Sequence, residues 1–159
     1  MRVYADSSFI LRLITAEAGS PGAIAEYRRL NNPSLFYLSL HALEVRNAIL
    51  QRAFHERRSA GAEVRKVASR ARDTAFARLE RFVARRALLD VEIEMDSVIA
   101  RASRLSLAHT EHLGTRAIDL MHVAAALILE SEVFLTTDSR QGQLAKAEGL
   151  RVISTPSAD

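Results

Sequence analysis

One stretch constrains the fold more than any other, because it is almost wholly apolar and yet carries a carboxylate. Between residues 117 and 129 the only polar side chains are those of Asp119 and His122. Their three-residue spacing places both on one face of a helix. A helix this apolar is buried in a protein core, where an unpaired carboxylate is strongly destabilising. The carboxylate of Asp119 therefore needs a partner, and the candidates are Arg116, His122 and a metal ion.

Short β-like runs alternate with helical patterns along the rest of the chain. The predicted strands lie at residues 2–5, 35–38, 88–94, 133–136 and 150–153. The predicted helices lie at residues 6–17, 23–30, 39–57, 64–83, 96–109, 117–129 and 137–148. This alternation predicts an α/β fold with a central, mostly parallel sheet of four to five strands between two helical layers. No repeat or linker divides the 159 residues, so we expect one domain at residues 1–155 and a short tail at 156–159.

The predicted helix at residues 39–57 has an apolar side and a polar strip. The large apolar side chains that define its buried side are Leu40, Leu43, Leu50 and Phe54. The polar strip consists of His41, Glu44, Asn47, Gln51 and His55. Taken alone, Glu44 is an ordinary surface residue of that strip.

The composition and the patterning exclude several classes of protein. The chain has no cysteine, which excludes disulfide bonds and thiolate metal sites. A charge at Asp6 comes too early for the apolar region of a secretory signal. No apolar run approaches the roughly 20 residues of a membrane span. We therefore expect a cytoplasmic protein that does not bind a membrane.

The positive charge is concentrated in one segment. Residues 57–86 contain ten Arg or Lys and three Asp or Glu, whereas the whole chain has a net charge of +3. Such a segment is either a solvated helix face or a surface for nucleic acid or an acidic partner. The candidate contacts with RNA or a protein partner are Arg65, Arg72, Arg78 and Arg81.

Acidic residues follow two of the predicted strands. Asp6 comes after the first strand, and Asp138 comes just after the strand at residues 133–136. In a parallel sheet both lie at the carboxyl edge, where ligands of such folds bind. Taken singly, each is also a good helix N-cap. The sequence therefore leaves both interpretations open for each residue alone.

Together the acids favour a metal site. Carboxylates brought to one edge repel one another unless protons or cations intervene, and an all-oxygen site suits Mg²⁺ or Mn²⁺. The hydroxyls of Ser8 and Thr136 stand beside the strand-end acids and can orient them. For His122 we favour a role in orienting Asp119 over a role in proton transfer. Arg116 could either neutralise the carboxylates or contact phosphate. The chemistry favoured by such a site is metal-assisted phosphodiester hydrolysis.

Four sequence motifs follow one another along the chain, which are Val3-Tyr-Ala-Asp6-Ser-Ser8, Leu43-Glu44-Val-Arg-Asn-Ala48, Arg116-Ala-Ile-Asp119-Leu-Met-His122-Val-Ala-Ala126 and Phe134-Leu-Thr136-Thr-Asp138-Ser-Arg140. In their order and spacing they resemble the motifs of the PIN-domain ribonucleases, and in particular those of the VapC-type toxins of bacterial toxin-antitoxin pairs. The resemblance runs from Val3 to Ile153.

That resemblance implies a three-layer α/β/α fold and endonucleolytic cleavage of RNA. It implies that the ligands of Mg²⁺ or Mn²⁺ are Asp6, Glu44, Asp119 and Asp138, supported by Ser8 and Thr136. It also implies a homodimer and a cognate antitoxin that blocks the site. Two features depart from the family's pattern. Arg140 stands where many relatives have a further acid, and the segment at residues 57–86 is longer and more basic than usual.

Three other functions share some of these features. A housekeeping PIN nuclease in RNA processing would use the same acids. A non-catalytic binding module would use them as caps and ion pairs. A receiver-like regulator or a dehalogenase-like phosphatase also has acids at strand ends, but the latter requires a second Asp at position 8, where this chain has Ser8.

Overall fold

The computed structural model describes residues 1–58 and 61–155 of the chain. Residues 59 and 60, between the predicted helices at 39–57 and 64–83, therefore lie outside the described residues, and so does the predicted tail at 156–159. Among the described residues, no helix combines the length and the apolar character needed to cross a bilayer.

The core is one sheet of five strands, all of them parallel. The strands are β1 (Val3–Ala5), β2 (Leu35–Tyr37), β3 (Leu88–Asp90), β4 (Val133–Thr136) and β5 (Arg151–Ser154). Their order across the sheet is β3-β2-β1-β4-β5. The predicted parallel α/β architecture is confirmed, and β1 occupies the centre of the sheet.

Seven helices connect the strands in the described part of the chain. They are α1 (Ser7–Ile14), α2 (Ser20–Arg29), α3 (Ser39–Arg58), α4 (Ala62–Ala84), α5 (Met95–Leu113), α6 (Ala117–Ile128) and α7 (Ser139–Ala147). Side chains alternate across a strand, so Val3 and Ala5 face one helical layer while Tyr4 faces the other. The first layer, with buried side chains from α1 to α4, forms one apolar cluster. The second layer, with α5, α6 and α7, forms another.

Several predicted boundaries differ from the structure by a few residues. Helix α1 stops at Ile14 because Thr15 turns away and its hydroxyl donates to the Leu11 carbonyl at 2.7 Å. Helix α5 continues past its predicted end at residue 109 to Leu113, and the following Gly114 has a left-handed φ of 62° that suits a helix C-terminus. Strand β3 is shorter than predicted and ends at Asp90.

The predicted buried side of α3 is wrong. Leu43, Leu50 and Phe54 are exposed, and the side chains that α3 buries are Leu40, His41, Val45, Ile49 and Ala53. Relative to the prediction, α3 is rotated about its axis so that the ring of His41 enters the core. There the Leu38 backbone N–H donates to Nδ1, and Nε2 bonds the Ala5 carbonyl. A polar side chain satisfied by two backbone groups can occupy a core position.

Candidate active site at the carboxyl edge of the sheet

Four acidic side chains from separate parts of the sequence line one pocket at the carboxyl edge of the sheet. Asp6 follows β1, Asp138 follows β4 by one residue, Glu44 lies on α3 and Asp119 on α6. The pocket is also lined by hydroxyl, amide and basic side chains and one apolar side chain, which are Ser7, Ser8, Arg116, Ile118, His122 and Gln141. The structure thus brings together all four acids selected from the sequence.

Asp6 is buried and its carboxylate is held by three neutral donors. One oxygen accepts from the Ser8 hydroxyl at 2.7 Å and from the Phe9 backbone N–H at 2.8 Å. The other accepts from the Thr136 hydroxyl at 2.5 Å. Burial raises the pKa of Asp6, because it outweighs the lowering by the charge of His122 and by these three hydrogen bonds. Asp6 is therefore both the N-cap of α1 and a fixed wall of the pocket.

Asp119 and Asp138 are joined by one guanidinium. Arg116 donates from Nε to Asp119 at 3.1 Å and from an Nη to Asp138 at 3.2 Å. The Arg116 backbone N–H also donates to the Asp119 carboxylate at 3.2 Å, so this acid satisfies the N–H of the residue that precedes α6. The side chain of Arg116 is 62% exposed, so the cation that compensates these acids can move into solvent.

Glu44 is held by the imidazole of His122. Nε2 of His122 lies 2.5 Å from a Glu44 oxygen, and the Ser7 hydroxyl donates to the same oxygen at 2.8 Å. Nδ1 of His122 bonds the buried hydroxyl of Tyr4 at 2.8 Å. Burial alone raises the pKa of Glu44, but the hydrogen bond and charge of His122, together with Ser7, outweigh it and lower that pKa.

The model of the PIN domain family matches residues 3–147 of the chain. This chain belongs to the PIN domain family. PIN domains are typically nucleases and generally bind divalent metal ions.

A solved structure gives the same fold. The crystal structure of PAE2754 from Pyrobaculum aerophilum superposes with a TM-score of 0.56 at 17% sequence identity, over 98% of this chain and 90% of that chain. At this identity the similarity concerns the fold alone. A comparison with curated proteins gives no match.

The sequence analysis predicted that His122 orients Asp119, but in the structure of this PIN domain it contacts a different carboxylate. Both ring nitrogens are engaged, by Tyr4 and by Glu44. The carboxylate that His122 orients is therefore Glu44 and not Asp119, which is held by Arg116 instead. A helical spacing of three residues allowed the contact with Asp119, but the pocket places a better partner against the ring.

The sequence analysis did not select Tyr4, which lies behind the pocket, or Gln141, which lines it. Tyr4 carries the hydroxyl that fixes the His122 ring, and no local pattern distinguishes it from an ordinary core residue of β1. Gln141 is buried, its backbone N–H donates to Asp138 at 3.1 Å, and its side-chain amide donates to the Asp119 carbonyl at 3.4 Å. The Asp-x-x-Gln spacing at the start of α7 is a capping-box pattern and would have revealed Gln141.

The four carboxylates suit a divalent ion, but in this structure they bond to other side chains of the protein. Three Asp and one Glu offer the hard oxygen ligands that Mg²⁺ and Mn²⁺ prefer. Within residues 1–58 and 61–155, no three acidic or histidine side chains stand in an arrangement that would hold a metal ion. Arg116 explains part of this, because its guanidinium lies between Asp119 and Asp138. The residues therefore fit a divalent ion in chemistry, and Arg116 is the cation that pairs with two of them in this structure.

The basic side chains selected from the sequence lie apart from the acidic pocket. Arg65, Arg72, Arg78 and Arg81 are on α4, and none of them lines that pocket in the described part of the chain. Arg72 pairs with Asp73 at 2.8 Å. A direct role for these residues beside the acids is thus unsupported by the geometry.

Proposed function

We propose that this PIN domain is a metal-dependent endoribonuclease and acts as the toxin of a toxin-antitoxin pair. The observation that carries the nuclease proposal is the convergence of four carboxylates, from β1, α3, α6 and β4, on one open pocket at the carboxyl edge of a parallel sheet. That edge is where ligands of such sheets bind, and the family is one of nucleases.

Each pocket residue has a role in this proposal. The ligands of Mg²⁺ or Mn²⁺ are Asp6, Glu44, Asp119 and Asp138. When bound, the ion supplies Lewis-acid activation of water and stabilises charge on the phosphate. Ser8 and Thr136 keep the carboxylate of Asp6 oriented through the bonds described above, and His122 does the same for Glu44.

Arg116 alternates between two partners in the proposal. Without an ion, its guanidinium compensates Asp119 and Asp138. A divalent ion held by these acids would take the place of the guanidinium, and Arg116, which is exposed at the rim of the pocket, would then bond a phosphate of the RNA. This makes Arg116 a positioning residue for the substrate.

The proposed protein partners are a second copy of the chain and a cognate antitoxin. Exposed apolar side chains on α3 support a protein-binding face, because Leu43, Leu50 and Phe54 are 51–70% exposed. The antitoxin would block the acidic pocket. We place the protein in the cytoplasm, where its RNA substrate is found.

The direct test of the nuclease is cleavage of a mixed structured-RNA pool by the purified chain. Parallel reactions contain Mg²⁺, Mn²⁺ or EDTA. We expect cleavage with either ion and none with EDTA. Absence of cleavage by a folded protein with both ions, or cleavage that persists in EDTA, would contradict the proposal.

The toxin role needs a separate test. Induced expression of the chain in a bacterial host should arrest growth, and the Asp119→Asn variant, expressed to the same level, should not. Normal growth with the wild-type chain, combined with RNA cleavage in vitro, would favour the housekeeping nuclease instead.

A further inference from the structure

A second pocket lies at the opposite edge of the sheet and is lined by guanidinium groups. Its polar lining consists of Tyr27, Asn32, Ser34, Arg78, Arg81, Arg85 and Arg86. Ser34 immediately precedes β2, and Arg86 precedes β3 by one residue. Because the sheet is parallel, this guanidinium pocket lies at the amino edge, whereas the acidic pocket lies at the carboxyl edge.

The positive charge of the guanidinium pocket is not compensated by the protein. No Asp or Glu lines it in the described part of the chain. Arg78 and Arg81 donate only to backbone carbonyls, those of Ile14 and Ala77. None of the four arginines forms an ion pair with a described carboxylate. Four arginines around one pocket give it a positive potential that attracts anions.

Arg86 occupies a backbone position that normally favours glycine. Its φ is 56°, and the N–H groups of Arg86 and Ala87 bond the carbonyls of Val83 and Phe82. This pattern is the Schellman end of a helix, in which a left-handed residue is usually Gly. An arginine here carries a conformational cost, so replacement by glycine removes the guanidinium without a penalty to the fold.

We propose that the guanidinium pocket binds backbone phosphates of the RNA substrate at a distance from the point of cleavage. Guanidinium groups bond phosphate oxygens in pairs, and the Asn32 amide and Ser34 hydroxyl are further donors. The guanidinium pocket lies at the amino edge of the sheet and the acids lie at the carboxyl edge, so the phosphates bound here belong to nucleotides away from the point of cleavage. The identity of the ligand as RNA rests on the proposed function, whereas the preference for phosphate rests on the pocket itself.

The test compares two variants that each remove two positive charges from the same basic segment. The pocket variant is Arg85→Ala with Arg86→Gly. The control is Lys66→Ala with Arg70→Ala, two exposed residues outside the pocket. Binding of a fluorescent single-stranded oligoribonucleotide is measured in EDTA over a range of salt concentrations, and melting temperatures are recorded for all proteins.

The pocket variant should bind several-fold more weakly than wild type. For this variant, the slope of log affinity against log salt concentration should be shallower by about 1.4, because each phosphate contact on a single strand contributes about 0.7 to that slope. The control should keep the wild-type slope, and the pocket variant should melt at or above the wild-type temperature. An unchanged slope in the pocket variant, or equal flattening in the control, would overturn the proposal.

Failure of the pocket and failure of the nuclease remain distinguishable, because binding in EDTA requires no cleavage. Cleavage that is metal-dependent, together with an unchanged salt slope, would refute the pocket alone. A flattened slope without any cleavage would refute the nuclease and support the pocket as a phosphate site.

Discussion

The two halves of the acidic pocket stabilise their buried carboxylates in different ways. Asp6 is fixed by three neutral donors that belong to the folded core. Asp119 is compensated by the guanidinium of Arg116, which is 62% exposed. The first carboxylate is thus part of the framework of the fold, whereas the second is balanced by a cation that can be exchanged. Such a division suits a site in which one wall is rigid and the other accepts an ion.

The largest stability difference should come from alanine substitutions in the two halves. Asp6→Ala removes the N-cap of α1 and the acceptor of the Ser8 hydroxyl, and it leaves the Thr136 hydroxyl only longer bonds of 3.4 Å to Asp138 and Gln141. We expect the free energy of unfolding to fall by about 1–3 kcal/mol, measured by urea denaturation in EDTA. Asp119→Ala should cost about 1 kcal/mol or less, because water can replace an exposed partner. Equal losses of unfolding free energy in the two variants would contradict the proposed difference between the two halves.

Removal of the exchangeable cation should favour metal binding. In Arg116→Gln, Asp119 and Asp138 lose their competing guanidinium, so the affinity for Mn²⁺ should rise several-fold. Calorimetric titration of wild type and variant measures this directly. Arg140→Gln is a matched control, because Arg140 is exposed and its side chain bonds the Gly114 carbonyl rather than an acid. A variant with unchanged or weaker affinity would show that Arg116 does not compete with the ion.

Asp6 and Glu44 should respond to pH with opposite signs. The pKa of Glu44 is lowered from 4.5 in the folded protein, so its stabilisation is present above pH 4.5 and is lost as the pH falls through the lowered value. The pKa of Asp6 is raised from 3.8, so its contribution is lost as the pH rises through the raised value. In EDTA, the stability advantage of wild type over Glu44→Gln should shrink on acidification below about pH 4.5. An advantage that does not change with pH would contradict the assigned role of His122.

The smallest effect should come from the buried hydroxyl behind His122. Tyr4→Phe removes its bond to Nδ1 and should cost about 0.5–1.5 kcal/mol of stability, with RNA cleavage a few-fold slower. Tyr37→Phe is the control, because the Tyr37 hydroxyl is buried and has no hydrogen-bond partner among the described residues. That control should be as stable as wild type or more so. Slower cleavage in both variants would show that the Tyr4 hydroxyl has no specific role.

The parts of the site that follow local rules were accessible from the sequence. Asp6 and Asp138 each come after a β-like run and before a helical pattern, and both prove to be side-chain caps at the carboxyl edge. The apolar segment with Asp119 is a buried helix at the predicted position. In these cases strand, cap and periodicity all lie within a few residues of one another, so a single sequence contains the information.

The parts that depend on tertiary contacts were not accessible. The rotation of α3 follows from the two backbone groups that receive the His41 ring, and these come from Leu38 and from Ala5 in a different strand. The pairing of His122 with Glu44 joins residues 78 positions apart. Neither contact produces a periodic pattern in the sequence, because each depends on how the helices pack against the sheet.

The central claim is most directly tested by RNA cleavage with Mg²⁺ or Mn²⁺, with wild type, Asp119→Asn and Asp73→Asn assayed in parallel. Asp73 is a control acid that pairs with Arg72 on the surface of α4. We predict that Asp119→Asn remains folded but cleaves at least about 100-fold more slowly, since even outer-shell changes at metal sites cost 10- to 100-fold. Asp73→Asn should match wild type. Cleavage by Asp119→Asn at the wild-type rate would contradict the account.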